Sequence, residues 1–139
     1  MEKKRIFRIM SKAERSVIIE LAEEIKKEHE VVIVKAPEKV LAMVKMREPV
    51  KEMKFYIGEV IVTETTVSVS DVTGHAVAMG DDFEKTLSMA IIDSACNGGF
   101  FKKEELLLKL EKEQKIQEEK ENAMFMKTMV NFNSMDAEA

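Results

Sequence analysis

The chain has 139 residues, of which 45% are hydrophobic and 35% charged, and its formal net charge at pH 7 is −4. A chain of this length can bury a core without metals or disulfides, so we expect one soluble globular protein. The acidic balance argues against nucleic acid or an anionic membrane as a partner, because phosphate groups require a clustered basic surface. A single cysteine, Cys96, together with the lack of a signal peptide or an apolar span, predicts a cytoplasmic protein.

The N-terminal third predicts one amphipathic helix. The basic residues within 3–8 are interpreted as a solvated terminus. Ser11 and Glu14 have the spacing of a capping box, which predicts that the helix begins there. An apolar stripe follows at intervals of three and four residues, formed by Val17, Ile18, Leu21, Ala22 and Ile25.

The middle of the chain is rich in β-branched residues and predicts a sheet. The expected strands are 31–34, 41–46, 55–63, 66–71 and 72–78, with Pro37, Pro49 and Thr73-Gly74 as their breaks. Short connections favour antiparallel neighbours, because a parallel pair needs a long crossover. We therefore expect an antiparallel sheet of four or five strands covered by helices, in an α+β fold.

Alternation within residues 58–70 predicts the two faces of this sheet. Val60 and Val62 share a face of one strand, and Val67 and Val69 share a face of the next. Thr63, Ser68 and Ser70 are expected to point away from these valines. The hydroxyl face is interpreted as solvated, with a partner surface as the alternative.

A second helix follows the sheet. Asp81 and Glu84 have capping spacing, and Gly98-Gly99 is typical of a helix C-terminus. Its expected buried stripe consists of Phe83, Leu87, Ala90, Ile91 and Ser94. We place a core domain at residues 1–99.

Residues 100–139 are expected to form a long C-terminal helix and a docking tail. Strong helix formers and pairs such as Glu111 with Lys115 support the helix. Residues 124–132 place apolar side chains at the end of this polar rod, and exposed apolar patches usually have a partner. The predicted interface residues are Phe125, Met126, Thr128, Met129, Val130 and Phe132. The alternative is that this tail folds back on its own domain.

Catalytic and metal-binding motifs are not found. His29 and His75 lack metal-ligand spacing, and no phosphate-binding glycine loop is present. The adjacent acids Asp81 and Asp82 are better explained as helix caps than as metal ligands. Glu59 and Asp93 are the only candidates for a catalytic acid or base, and no bound cofactor or metal is expected.

The sequence resembles the PhnG family in FYIGEVIVTETTVSVS, in the Gly74 turn and in AMGDDFEKTLSMAIIDS. The matching positions are Phe55, Gly58, Glu59, Val62, Thr63, Val67, Gly74, Gly80, Asp82, Ala90 and Asp93, and Phe125 and 128–130 resemble the family's tail. The chain departs from the family pattern at three arginine positions, which are occupied by Glu64, Asp81 and Asn131. Arginine is the natural partner of phosphonate oxygens, so the departures favour an assembly role over substrate binding.

The resemblance implies the G subunit of the carbon–phosphorus lyase system. Such subunits work with H-, I- and J-type subunits and with ATP-binding-cassette-like K and L proteins, and they support displacement of adenine from ATP by a phosphonate to give ribose 1-phosphonate 5-triphosphate. The J-type subunit uses an iron–sulfur cluster with S-adenosylmethionine. A chain with one cysteine could not ligate this cluster, which needs several. We therefore expect a non-catalytic subunit, able to form a homo-oligomer when isolated. The alternatives are a free-standing small-molecule binding or regulatory domain, or an independent enzyme.

Overall fold

The structure, a computed structural model, describes the backbone of residues 2–47 and 54–138 and the side chains of residues 2–43, 45 and 58–128. Its elements are α1 (Lys3–Lys12), α2 (Arg15–Glu28), β1 (Val31–Arg47), β2 (Lys54–Val69), β3 (Val72–Met79), α3 (Phe83–Gly98) and α4 (Glu104–Glu138). The α+β class and the long C-terminal helix agree with the prediction. The predicted strand number is wrong, because the described residues form a three-stranded antiparallel sheet in the order β1-β2-β3.

The five predicted strands become three because residues 35–40 continue β1 and residues 64 and 65 continue β2. β1 passes through Pro37, and its register with β2 shifts between Lys35 and Glu38. Proline is tolerated on an edge strand at a bulge, because its missing N–H is not needed there. The Thr65 hydroxyl donates to the Lys35 carbonyl at 2.7 Å, which satisfies an acceptor beside the shift. Pro49, the other expected break, lies outside the described residues.

Because β2 is one continuous strand, the residues on each of its two faces differ from the prediction. Thr63, Thr65, Val67 and Val69 alternate along one strand, and all four side chains are buried. Thr63 therefore points away from Val60 and Val62, as predicted, but the prediction that it points away from Val67 and Val69 is wrong. Its hydroxyl donates to the Gly80 carbonyl at 2.8 Å, so burial leaves no donor unsatisfied.

The β2–β3 turn lies at Ser70 and Asp71, whereas the sequence predicted it at Thr73-Gly74. Both turn residues have positive φ, 49° and 66°, as a two-residue type I′ hairpin requires. The Ser70 hydroxyl lies 3.0 Å from Nδ1 of His29, and its backbone N–H donates to the Glu30 carbonyl. These contacts hold a turn that contains no glycine.

The N-terminal region forms two helices, so the predicted start at Ser11 is wrong. Ser11 lies inside α1, where its hydroxyl donates to the Arg8 carbonyl, and Glu14 makes no side-chain cap for α2. The missed helix α1 buries Ile6, Ile9 and Met10 at intervals of three and four residues. The predicted stripe of α2 is buried at Ile18, Leu21, Ala22 and Ile25.

Helix α3 is the centre of the fold. It packs on all three strands, and α2 packs against it. Every residue from Ser88 to Ala95 is buried, so α3 is enclosed rather than one-sided. The predicted stripe is wrong at Phe83, which is 41% exposed. The predicted end is confirmed, because Gly99 adopts a left-handed conformation with φ of 73°.

The chain forms two compact units, residues 1–102 and 103–139. The first contains the sheet and α1 to α3, and the second contains α4, a single helix of 35 residues. No helix of the described residues is both long and apolar enough to cross a membrane.

Candidate functional site

Three apolar side chains are exposed near the end of the part of α4 whose side chains are described. Met124, Phe125 and Met126 are 71%, 64% and 59% exposed. Successive residues on an α-helix are about 100° apart, so these three side chains point to different sides of the helix. A single flat surface could not cover them all, and a partner would have to enclose this part of the helix.

The other predicted interface residues belong to the same helix. Thr128 is exposed, and its hydroxyl donates to the Met124 carbonyl at 3.0 Å. Met129, Val130 and Phe132 have helical backbone, but their side chains lie outside the described residues. We keep the name docking segment for residues 124–132.

The first unit also exposes apolar surface. β3 ends at Met79, opposite Val62, whereas β1 and β2 remain paired as far as Arg47 and Lys54. Residues 41–47 and 54–61 therefore form a two-stranded ribbon beyond the third strand. Two-stranded sheets are marginally stable alone, so this extension is a natural place for contact with another molecule. Among the side chains of the ribbon that the structure describes, Leu41, Met43 and Ile61 are apolar and exposed, at 66%, 55% and 53%.

The two candidate catalytic residues lie in different environments. Glu59 is exposed on the ribbon opposite Met43, whereas Asp93 is 4% exposed on α3. No hydrogen bond or ion pair joins them within the described part of the chain. Asp93 accepts from the backbone N–H of His75 at 3.0 Å and from the amide of Asn97 at 3.4 Å, and Nζ of Lys3 lies 3.8 Å away. These contacts favour a structural role for Asp93.

Replacing the buried Asp93 with alanine should lower the free energy of unfolding by about 1–3 kcal/mol, because the backbone N–H of His75 would lose its acceptor. Chemical denaturation of the full chain measures the change. Glu59→Gln is the control and should stay within about 0.5 kcal/mol of the native chain, since its side chain is exposed. Equal stability of all three proteins would show that the Asp93 contact does not matter.

An ion-pair cluster stabilises the start of α3. The guanidinium of Arg15 donates to both carboxylate oxygens of Asp82, at 3.0 and 3.3 Å, and to Glu84 at 2.9 Å. Of the two acids predicted as caps, Asp82 and not Asp81 is the N-cap, and its carboxylate accepts from the Lys85 amide at 3.1 Å. The hydrogen bond from Arg15 is the main cause that lowers the pKa of Asp82.

The free energy of unfolding should therefore decrease as the pH is lowered below about 4. A carboxyl group whose pKa is lower in the folded state stabilises the fold above its unfolded pKa, near 3.8, and this stabilisation is lost as the pH falls through the folded pKa. Denaturation series below about pH 4 should show a shallower fall for Asp82→Asn than for the native chain. Asp81→Asn is the matched control, because Asp81 is 76% exposed and should leave the slope unchanged. An unchanged slope in Asp82→Asn would contradict this assignment.

Metal ligation is not indicated by these groups. No cluster of three His, Cys, Asp or Glu side chains with suitable placement occurs among the described residues.

Comparison with protein families decides what kind of protein this is. The family model for phosphonate metabolism protein PhnG matches residues 1–136. The chain belongs to the PhnG family. It therefore has a role in phosphonate metabolism. A comparison with curated proteins gave no match.

Several positions that match the PhnG pattern hold α3 against β3. A Cβ on Gly74 would lie 2.2 Å from the Ala90 carbonyl oxygen, so only glycine allows this approach. Asp93 binds the β3 backbone one residue later, and Asp82 caps the helix. The Ser94 hydroxyl donates to the Val72 carbonyl at the same junction. This part of the pattern therefore has a structural explanation.

One departure from the PhnG pattern reverses the local charge. Glu64, at a position where the resemblance to the family leads us to expect an arginine, lies between Lys35 and His75. Its carboxylate is 3.5 Å from Nζ of Lys35 and 3.7 Å from Nε2 of His75. The hydroxyl of Thr66 is 2.9 Å from the other nitrogen of His75. An acid enclosed in this way is poorly suited to bind a phosphonate, so this position does not provide an anion site.

Proposed function

We propose that the chain is a non-catalytic subunit of the phosphonate carbon–phosphorus lyase assembly. It would support displacement of adenine from ATP by a phosphonate, while partner subunits carry the reacting groups. The observation that carries this proposal is the exposed apolar surface at Met124, Phe125 and Met126. Such surface is costly in water and is typical of a binding site for another protein.

The docking segment would bind the I-type subunit. Aromatic and methionine side chains are enriched in the cores of protein interfaces, where charged residues are depleted. Residues 111–122, in contrast, consist mainly of charged and polar side chains, with Ile116 as the one large apolar residue. Apart from Ile116, the exposed large apolar side chains described in this helix are therefore Met124, Phe125 and Met126, which favours one localised contact.

The sheet would act as a second contact surface. Leu41, Met43 and Ile61 share one face of the ribbon, by strand alternation and by the pairing of Leu41 with Ile61. The H- and J-type subunits and the K and L proteins are further proposed members of the assembly. ATP, the iron–sulfur cluster and S-adenosylmethionine would be bound by these partners.

Reconstitution tests the proposed role. Purified H-, I- and L-type subunits should form the ribose phosphonate triphosphate from ATP and methylphosphonate only when this chain is added. The chain alone should release no adenine under the same conditions. Full activity of the partner mixture without the chain, or adenine release by the chain alone, would contradict the proposal.

The matched control uses the two candidate catalytic residues. Glu59→Gln keeps the size of the side chain and removes its charge, so the reconstituted assembly should keep its rate. Asp93→Asn keeps an acceptor for the His75 amide, so this variant should also support the reaction. A loss of turnover with unchanged assembly in either variant would indicate that the chain takes part in catalysis.

A further inference from the structure

A groove of about 510 Å³ lies between α1, the end of β3 and the start of α3. Its apolar lining includes Phe7, Met79 and Met89. Lys4 and Arg8 line it from α1, and Lys85 lines it from α3. The volume lies in the range of sites that bind small molecules, which are typically apolar with a few polar groups.

Two of the cations of α1, those of Lys4 and Arg8, line the groove. Lys4 and Arg8 are four residues apart and therefore one above the other on the same helix face, where like charges repel. Neither forms an ion pair among the described residues. The N-cap of α1 is Glu2, whose side chain makes no capping hydrogen bond, and the first turn itself contains no acid, although a helix N-terminus favours negative charge. A bound anion would offset the repulsion between Lys4 and Arg8 and would complement the positive end of the helix.

The other charged residues that line the groove, Lys85 and Asp82, leave its net charge positive. Nζ of Lys85 donates to the Ser11 carbonyl at 3.0 Å and to the Ala13 carbonyl at 2.9 Å, so its charge lies near the C-terminal end of α1. Asp82 is the one acid that lines the groove, and its carboxylate is already paired with Arg15. The cations therefore lie along a groove that has no free acid of its own.

We propose that this groove binds a small organophosphorus anion, a phosphonate or phosphate monoester that carries an apolar substituent. The guanidinium of Arg8 can bond two oxygens of such a group, and Lys4 adds charge one turn away. Phe7, Met79 and Met89 would contact the substituent. The preference for phosphorus over a carboxylate rests on the proposed function, whereas the anion site itself rests on the groove.

Titration calorimetry of the full chain tests the site, with phenylphosphonate, inorganic phosphate and benzoate as probes. Phenylphosphonate should bind more tightly than phosphate, which lacks the apolar part, and more tightly than benzoate, which carries less charge. The double variant Lys4→Gln/Arg8→Gln should weaken phenylphosphonate binding on the order of tenfold to a hundredfold, because it removes hydrogen bonds to a charged group. Added salt should also weaken binding.

The control variant is Lys112→Gln/Lys120→Gln, which removes two exposed positive charges from α4 and should bind like the native chain. Circular dichroism establishes that both double variants are folded. The proposal is overturned if the native chain binds no phenylphosphonate at millimolar concentration, if phosphate or benzoate binds equally well, or if both double variants lose affinity equally. These titrations use the chain alone, so a negative result would leave the reconstitution test of the assembly role unaffected.

Discussion

Gly74→Ala should destabilise the first unit by about 2–3 kcal/mol, the cost expected when extra volume is forced into a packed core. The added methyl carbon would lie 2.2 Å from the Ala90 carbonyl oxygen and 2.6 Å from the backbone nitrogen of Ser94. Both are backbone atoms, so a side-chain rotation cannot relieve the clash. Helix α3 would have to move away from β3, which would weaken the contacts of Asp93 and Ser94 at the same junction.

Gly58→Ala is the matched control for this prediction. Gly58 is exposed in β2, and a Cβ there would meet no atom within 4 Å. We expect its free energy of unfolding to stay within about 0.5 kcal/mol of the native value. Urea denaturation of the three proteins measures both changes. Equal stability of the Gly74 and Gly58 variants would contradict the close packing of α3 on β3.

Phe125→Ser/Met126→Ser should weaken binding to the I-type subunit by about 2–4 kcal/mol, which corresponds to roughly thirtyfold to a thousandfold in affinity. The two side chains are 64% and 59% exposed, so their replacement removes apolar contact area without opening a core. The stability of the isolated chain should therefore not change. Surface plasmon resonance with immobilised I-type subunit measures the affinity.

Ile116→Ser provides the control on the same helix. Ile116 is 53% exposed and lies two turns before the docking segment. Its loss should leave the affinity within about a factor of two, which corresponds to about 0.4 kcal/mol. If Ile116→Ser weakens binding as much as the double variant, the contact is not confined to residues 124–132.

The sequence is most informative for helices whose buried residues recur at regular intervals. Ile18, Leu21, Ala22 and Ile25 form a stripe that is visible in the sequence and buried in the structure. The same signal was present in α1, at Ile6, Ile9 and Met10, but the dense basic residues around them favoured a solvated terminus. Charge on one side of a helix does not prevent burial of the other.

The strand boundaries depended on contacts between distant residues. Proline normally ends a strand, but β1 continues past Pro37 through a register shift, beside which the hydroxyl of Thr65 donates to the carbonyl of Lys35, thirty residues earlier in the chain. The turn at Ser70 and Asp71 lacks the glycine that usually permits positive φ, so Gly74 was the more conspicuous candidate. Gly74 instead allows α3 to pack closely on β3, and this contact depends on tertiary structure.

One of the two candidate sites is formed by neighbouring residues, and the other by residues that are distant in the sequence. An apolar segment after a polar helix is a local feature, so residues 124–132 could be selected from sequence. The groove combines Arg8 with Met79 and Lys85, which are more than seventy residues away in the chain. No local pattern connects these residues, and only the fold shows that Lys4 and Arg8 line a groove.

Co-purification tests the central claim most directly. A chain ending at Glu121 lacks the docking segment but keeps the whole first unit, and it should be expressed with a tagged I-type subunit beside the full chain. We expect the full chain to elute with the tagged subunit, and the shortened chain to be folded by circular dichroism but absent from that fraction. Recovery of the shortened chain in equal amount would contradict the claim that this protein joins its assembly through residues 124–132.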